Sequence, residues 1–70
     1  MTYEVRACSF NRLTGKKVGK RRMELINTKM NKLFIEAKTV MDIKKIYEFF
    51  WNDTNLESEN VVFVLEITPL

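Results

Sequence analysis

Seventy residues make one domain at most, and a chain this short buries only about 60% of the surface its unfolded form exposes, so residues 1–70 are read as a single small unit. Hydrophobic residues at 46%, charged residues at 30%, one Pro and two Gly describe a folded globular chain and exclude a linker or low-complexity segment. The formal charge of +3 is unevenly spread: residues 1–45 hold all 12 Lys and Arg against four acids, for +8, while residues 46–70 hold five acids and no base, for −5. An asymmetry of this kind points to a charged partner.

Tyr3 to Phe10 alternates with a period of two: Tyr3, Val5 and Ala7 share one face, and Glu4 and Arg6 take the other. This predicts a half-buried strand. A second strand is expected over residues 20–28, with Met23 and Leu25 on one side and Arg22, Glu24 and Ile26 on the other. Thr14-Gly15 marks the turn between them, because glycine accepts the positive φ that hairpin turns need. Pairing Ala7 with Met23 and Val5 with Leu25 gathers the apolar side chains on one face and sets Arg6 opposite Glu24. A slip by one residue moves Met23 and Leu25 to the other face.

Residues 29–38 fit two patterns. Leu33, Ile35 and Ala37 alternate with Phe34, Glu36 and Lys38 as in a third strand, the favoured reading, while Met30, Leu33, Phe34, Ala37 and Met41 fit a helical stripe. Residues 40–52 are plainly helical: Ile43, Ile46, Tyr47 and Phe50 recur at i, i+3, i+4 and i+7 with Val40, and Asp42, Lys44, Lys45, Glu48 and Asn52 fall opposite. Thr39 and Asp42 have capping-box spacing. After the polar stretch Asn52–Asn60, residues 60–68 form the last strand, with Val61, Phe63, Leu65 and Ile67 on one face and Val62 and Val64 on the other. Apolar residues on both faces suggest an inner or covered strand, ended by Pro69. The expected fold is α+β: a β-hairpin, a third strand if 29–38 is extended, one helix, then a strand, with the helix across one face of a small sheet. One helix cannot cover both faces, so the second face is polar or meets a partner.

Much chemistry is excluded by what is missing. Without histidine, the commonest general base and metal ligand are gone. One cysteine, Cys8, supplies neither a zinc site nor an internal disulfide, and a small domain without disulfides suggests a reducing, cytoplasmic setting. The two glycines, Gly15 and Gly19, do not make a phosphate-binding loop. Glu57 and Glu59 read as part of a solvated loop. No catalytic residue, metal site or cofactor is expected, and the protein reads as non-enzymatic. No apolar run approaches the ~20 residues of a membrane span, and the start Met1-Thr2-Tyr3-Glu4 is unlike a secretory signal.

Two features remain as candidates for function. Between Arg6 and Arg22 there is no acid, and Arg12, Lys16, Lys17, Lys20, Arg21 and Arg22 place six positive charges within eleven residues. Such a cluster attracts nucleic acid by releasing condensed counterions, and Phe10 and Tyr3 offer rings for single strands. An acidic protein is the other partner this charge fits, and Lys16–Arg22 also resembles a basic nuclear-localisation stretch. The second feature is the aromatic helix end Tyr47-Glu48-Phe49-Phe50-Trp51. Phe49 and Trp51 flank the buried stripe and are expected as anchors for a protein partner. Val62 and Val64, expected on the uncovered sheet face, would serve a homodimer. The leading expectation is a nucleic-acid-binding accessory protein. The alternative is a protein-binding module or inhibitor acting through the aromatic helix end or the acidic half. The layout is similar to that of many small accessory proteins, those of bacteriophages and other mobile elements among them, which implies no particular activity.

Overall fold

The computed structural model describes residues 1–53 and 59–70, with Lys20 and Asp53 placed by their backbone alone. Strand β1 spans Thr2–Asn11, β2 Lys17–Asn27 and β3 Asn60–Pro69, and helix α1 spans Val40–Asp53. A short 3₁₀ turn at Lys32–Phe34 precedes the helix. The three described strands form one antiparallel sheet in the order β2-β1-β3. The architecture is α+β, with α1 packed on one face of the sheet. β1 is the central strand, and β3 lies at the edge of the described strands, so of the two expected readings, inner or covered, the covered one holds: α1 packs on it.

The hairpin register differs from the expected one by a residue. Tyr3 faces Ile26, Val5 faces Glu24 and Arg6 faces Met23. Ile26 is therefore the β2 residue that joins Tyr3, Val5 and Ala7 in the core, at 2% exposure, while Met23 and Leu25 lie outside at 62% and 59%. The cause is the loop. Asn11 N–H donates to Lys16 O at 2.8 Å, closing a loop of four residues, 12–15, and this even length sets odd residues of β1 opposite even residues of β2. Gly19, at φ 76°, sits where pairing jumps from Ser9–Val18 to Ala7–Arg22, so β2 carries two extra residues opposite the middle of β1. Inserting two residues moves the partners along without exchanging the faces. Arg6 consequently misses Glu24 and bonds Glu4 on its own strand, Nε to Oε1 at 2.7 Å.

A second bulge in β3, at Leu65, lies between the pairs Arg6–Glu66 and Ala7–Val64. One extra residue exchanges faces. Val62, Val64 and Ile67 all turn toward the helix as a result, and Val61 and Phe63 turn away. The core is Tyr3, Val5, Ala7 and Ile26 from the hairpin, Phe34, Ile43 and Tyr47 from the helical layer, and Val62 from β3.

Residues 29–38 form neither a strand nor a regular α-helix. Asn27 Oδ1 accepts from Lys29 N–H at 3.0 Å, and its carbonyl accepts from Met30 and Asn31. Asn31 Oδ1 accepts from Leu33 N–H at 3.1 Å and caps the 3₁₀ turn. Two asparagines four apart supply local acceptors that outcompete a ladder. Phe34 is the residue buried by this turn, with Ala37 packed beside it. The helix start is the expected capping box: Asp42 Oδ2 accepts from Lys38 and Thr39 N–H at 2.9 and 3.1 Å, and Thr39 Oγ1 accepts from Asp42 N–H at 3.2 Å. These bonds, Lys38 first, hold the Asp42 carboxyl below its ordinary pKa.

The buried helix stripe is Ile43, Ile46, Tyr47 and Trp51, while Phe50 and Val40 are exposed. Glu48 and Asn52, expected on the solvent side, reach the free edge of β3. Asn52 Oδ1 accepts from Val62 N–H at 2.8 Å and Nδ2 donates to Val62 O at 3.1 Å. Glu48 Oε2 accepts from Val64 N–H at 2.8 Å, and its other oxygen takes Lys44 Nζ at 2.8 Å. The helix is thus fastened to the sheet by hydrogen bonds as well as by apolar contact.

Candidate nucleic-acid interface

The basic hairpin ends in a loop defined by its own hydrogen bonds. Asn11 Oδ1 accepts from Leu13 and Thr14 N–H at 2.9 and 3.0 Å, an Asx turn. Gly15 N–H donates to Asn11 O at 2.8 Å, and Gly15 takes φ 70°, a backbone state that suits glycine. Thr14 Oγ1 accepts from Lys16 N–H at 3.2 Å. Arg12 N–H donates to Glu59 O at 2.7 Å, which ties the loop to the start of β3.

The six expected cations do not share one face. Arg12 and Lys16 are exposed at the loop. Lys17 pairs with Phe10 and so stands on the face away from the helix. Arg21 is exposed within the β2 bulge, and the Lys20 side chain lies outside the described residues. Arg22, paired with Ala7, turns the opposite way, and its guanidinium lies 4.6 Å from the centre of the Trp51 ring. That cation–π contact takes Arg22 out of the outward-facing set. Among the described residues, Arg12, Lys16, Lys17 and Arg21 form no ion pair, whereas Arg6 and Lys44 do.

The uncovered sheet face has two parts. Toward the chain termini β1 and β3 present a polar row, Glu4, Arg6, Glu66 and Thr68, beside the exposed Met23 and Leu25 of β2. Arg6 is held more firmly protonated by its hydrogen bond to Glu4, with Glu66 adding to the effect. Toward the hairpin the face is apolar and aromatic. Phe10 and Phe63 meet at 5.7 Å between centroids and 67° between planes. With Val61, Leu65, Asn11, Arg12 and Gly15 they line an open groove of about 510 Å³. Phe63 is 47% exposed. Cys8, beside Phe63 on the same face of the central strand, is fully buried and unpaired.

No family model matches this chain. No curated protein and no solved structure matches it either, so the interface is read from its own chemistry.

Several expected site residues are placed differently. Tyr3 is in the core with its hydroxyl on Met1 Sδ at 3.3 Å, so it offers no ring to a ligand. Val62 and Val64 lie under the helix and cannot line a dimer on the open face. Trp51 packs on the core, beside Tyr47 at 6.3 Å and Phe50 at 5.6 Å, and Arg22 covers it. Phe49 stands out at 70% exposure. The residue missed was Phe63, assigned to the core by the alternation of β3. Its local signal is weak, because Phe63-Leu65 and Val62-Val64 compete equally for the inner face. At the helix end, burial raises the Tyr47 pKa first, and the charge and hydrogen bond of Glu24 raise it further, against smaller effects of Arg22 and Trp51. Among the described residues no three acids or cysteines gather as a metal site, and no helix is long and apolar enough to cross a membrane.

Proposed function

We propose that this protein is a non-enzymatic nucleic-acid-binding accessory protein that contacts the phosphate backbone through the hairpin end. The observation that carries the reading is the set Arg12, Lys16, Lys17 and Arg21: four exposed cations without ion-pair partners among the described residues, spread along a loop and bulge whose backbone is fixed by Asn11, Gly15 and Gly19. Each contact of such a cation with a phosphate releases counterions. The buried, unpaired Cys8 suits the reducing, cytoplasmic setting this function implies.

The test is a titration against labelled nucleic acid over a range of salt. Affinity should fall steeply with salt. Reversing Lys16, Lys17 and Arg21 together to glutamate should abolish binding, or flatten the log–log salt slope by about 3 if each meets one phosphate of a duplex. Reversing Lys29, Lys32 and Lys38, which are exposed on the connection between β2 and α1, should leave most of the binding in place. A wild-type protein that binds no nucleic acid at about 50 mM salt removes the reading. The exposed Phe49 then favours the second one, a protein-binding module that docks by its helix end.

A further inference from the structure

We infer that the groove on the open sheet face takes an unpaired nucleobase against Phe63, so that the ligand is single-stranded nucleic acid. The inference rests on the hairpin reading above and adds what the cations alone do not specify. Phosphates are identical in a duplex and a single strand, but base faces are accessible only in the latter. A ring on a flat sheet face, with cations beside it, is the arrangement that stacks bases while tracking the backbone.

Three observations converge on this groove. Phe63 is half exposed although it sits on a strand paired to the central one, so its ring borders the open face without being covered. Phe10 meets it edge-to-face, at 67°, an arrangement that takes one face of one ring, where a parallel stack takes a face of both. Arg12 lines the same groove, and Lys17 pairs with Phe10 on the same face, so positive charge flanks the rings. The volume of about 510 Å³ lies in the range of sites for small planar groups. A second copy of this chain fits less well. A two-fold pairing through this patch sets the same patch on each molecule against the other, which brings the cations of one copy to a groove lined by no acid among the described residues.

The experiment compares an oligothymidylate of about twelve nucleotides with a duplex of equal length, by fluorescence anisotropy at low salt, together with sedimentation of the free protein. The wild type should favour the single strand. Phe63→Ala should weaken single-strand binding about tenfold, as loss of one stacked base does, while duplex binding and the salt slope stay as they were. Phe63→Tyr keeps a ring and should restore most of the affinity. Because Phe63 is half exposed, circular dichroism of Phe63→Ala should be that of the wild type. Binding of nucleic acid with no single-strand preference, or with no loss in Phe63→Ala, overturns the stacking site and leaves the hairpin reading intact. A free protein that sediments as a dimer and becomes monomeric in Phe63→Ala assigns the groove to a second copy and overturns it too. Absence of binding to either nucleic acid fails the hairpin reading itself, and the stacking site falls with it.

Discussion

The two faces of the sheet are built from alternate residues of the same three strands, yet they differ in kind. The covered face presents Tyr3, Val5, Ala7, Ile26 and Val62 to the helix, and every one is buried. The open face presents Met23, Leu25, Phe63 and Leu65, all exposed, next to a polar row of Glu4, Arg6 and Glu66. Hydrophobicity alone does not tell them apart: a leucine and a methionine lie outside while one isoleucine lies inside. The assignment is made by the hairpin loop length and by the one-residue bulge at Leu65, which fix the parity of each outer strand against β1. A small domain has one helix to spend, and its second face is then available for chemistry that needs exposed rings beside charge.

The largest effect that separates the faces is on stability. Ile26→Ala should cost about 2–5 kcal/mol, as for a buried branched side chain, whereas Met23→Thr and Leu25→Thr should each stay within about 0.5 kcal/mol. Urea unfolding of the three variants reads this directly, and a larger loss at Leu25 than at Ile26 would restore the register expected from the sequence. A smaller effect concerns the fastening of the helix. Asn52→Ala leaves the half-buried Val62 amide and carbonyl without their partner, at about 1–3 kcal/mol. Asn52→Asp keeps the acceptor for the Val62 amide but sets a carboxylate oxygen against the Val62 carbonyl, so it should not recover the loss, and amide exchange at Val62 should quicken in Asn52→Ala. The smallest is confined to alkaline pH. Tyr47 has its pKa raised by burial and by Glu24. The stability it contributes is therefore complete below the ordinary tyrosine value of about 10 and is lost as pH climbs through the folded-state value. Tyr47→Phe should flatten that alkaline decline in a pH series of melting curves. An identical decline in both forms would mean that Tyr47 does not ionise in the folded protein.

Features encoded by neighbouring residues were legible in the sequence. Thr39 and Asp42 cap the helix as their spacing implies, Ile43, Ile46 and Tyr47 form its buried stripe, and the loop turns at Gly15. Features that depend on distant pairing were not. Met23 and Leu25 outvote Ile26 in any count of apolar residues, but the four-residue loop has the deciding influence, and it is visible only once Asn11 is seen to pair with Lys16. Gly19 was the available hint of a bulge, since an isolated glycine in a strand often marks one. In β3 the apolar residues alternate on both faces, and only the bulge at Leu65 lets Val64 and Ile67 point the same way. The site divides along the same line. Its charge was evident from Arg12 to Arg22. The neighbour that gives it an aromatic surface, Phe63, lies over fifty residues from Phe10 in sequence and reaches it through the antiparallel pairing of β1 with β3. The sequence asymmetry of charge is likewise softened by folding, because Glu66 comes to rest opposite Arg6.

The hydrogen bonds from Asn52 and Glu48 to β3 have a consequence for how copies of this chain can associate. A sheet with two open edges can recruit a neighbour on each side and grow without limit, the geometry of a fibril. Here the Val62 amide and carbonyl and the Val64 amide are already occupied by side chains of the helix, and Pro69 has no N–H to give. The other edge, β2, is broken by the Gly19 bulge and carries Arg21 and Arg22. Strand-to-strand contact through β2 alone ends at a closed pair, and the like charges on that strand oppose even that. Edge pairing is therefore hindered on one side by hydrogen bonds already made at Val62 and Val64 and on the other by the bulge and its charge.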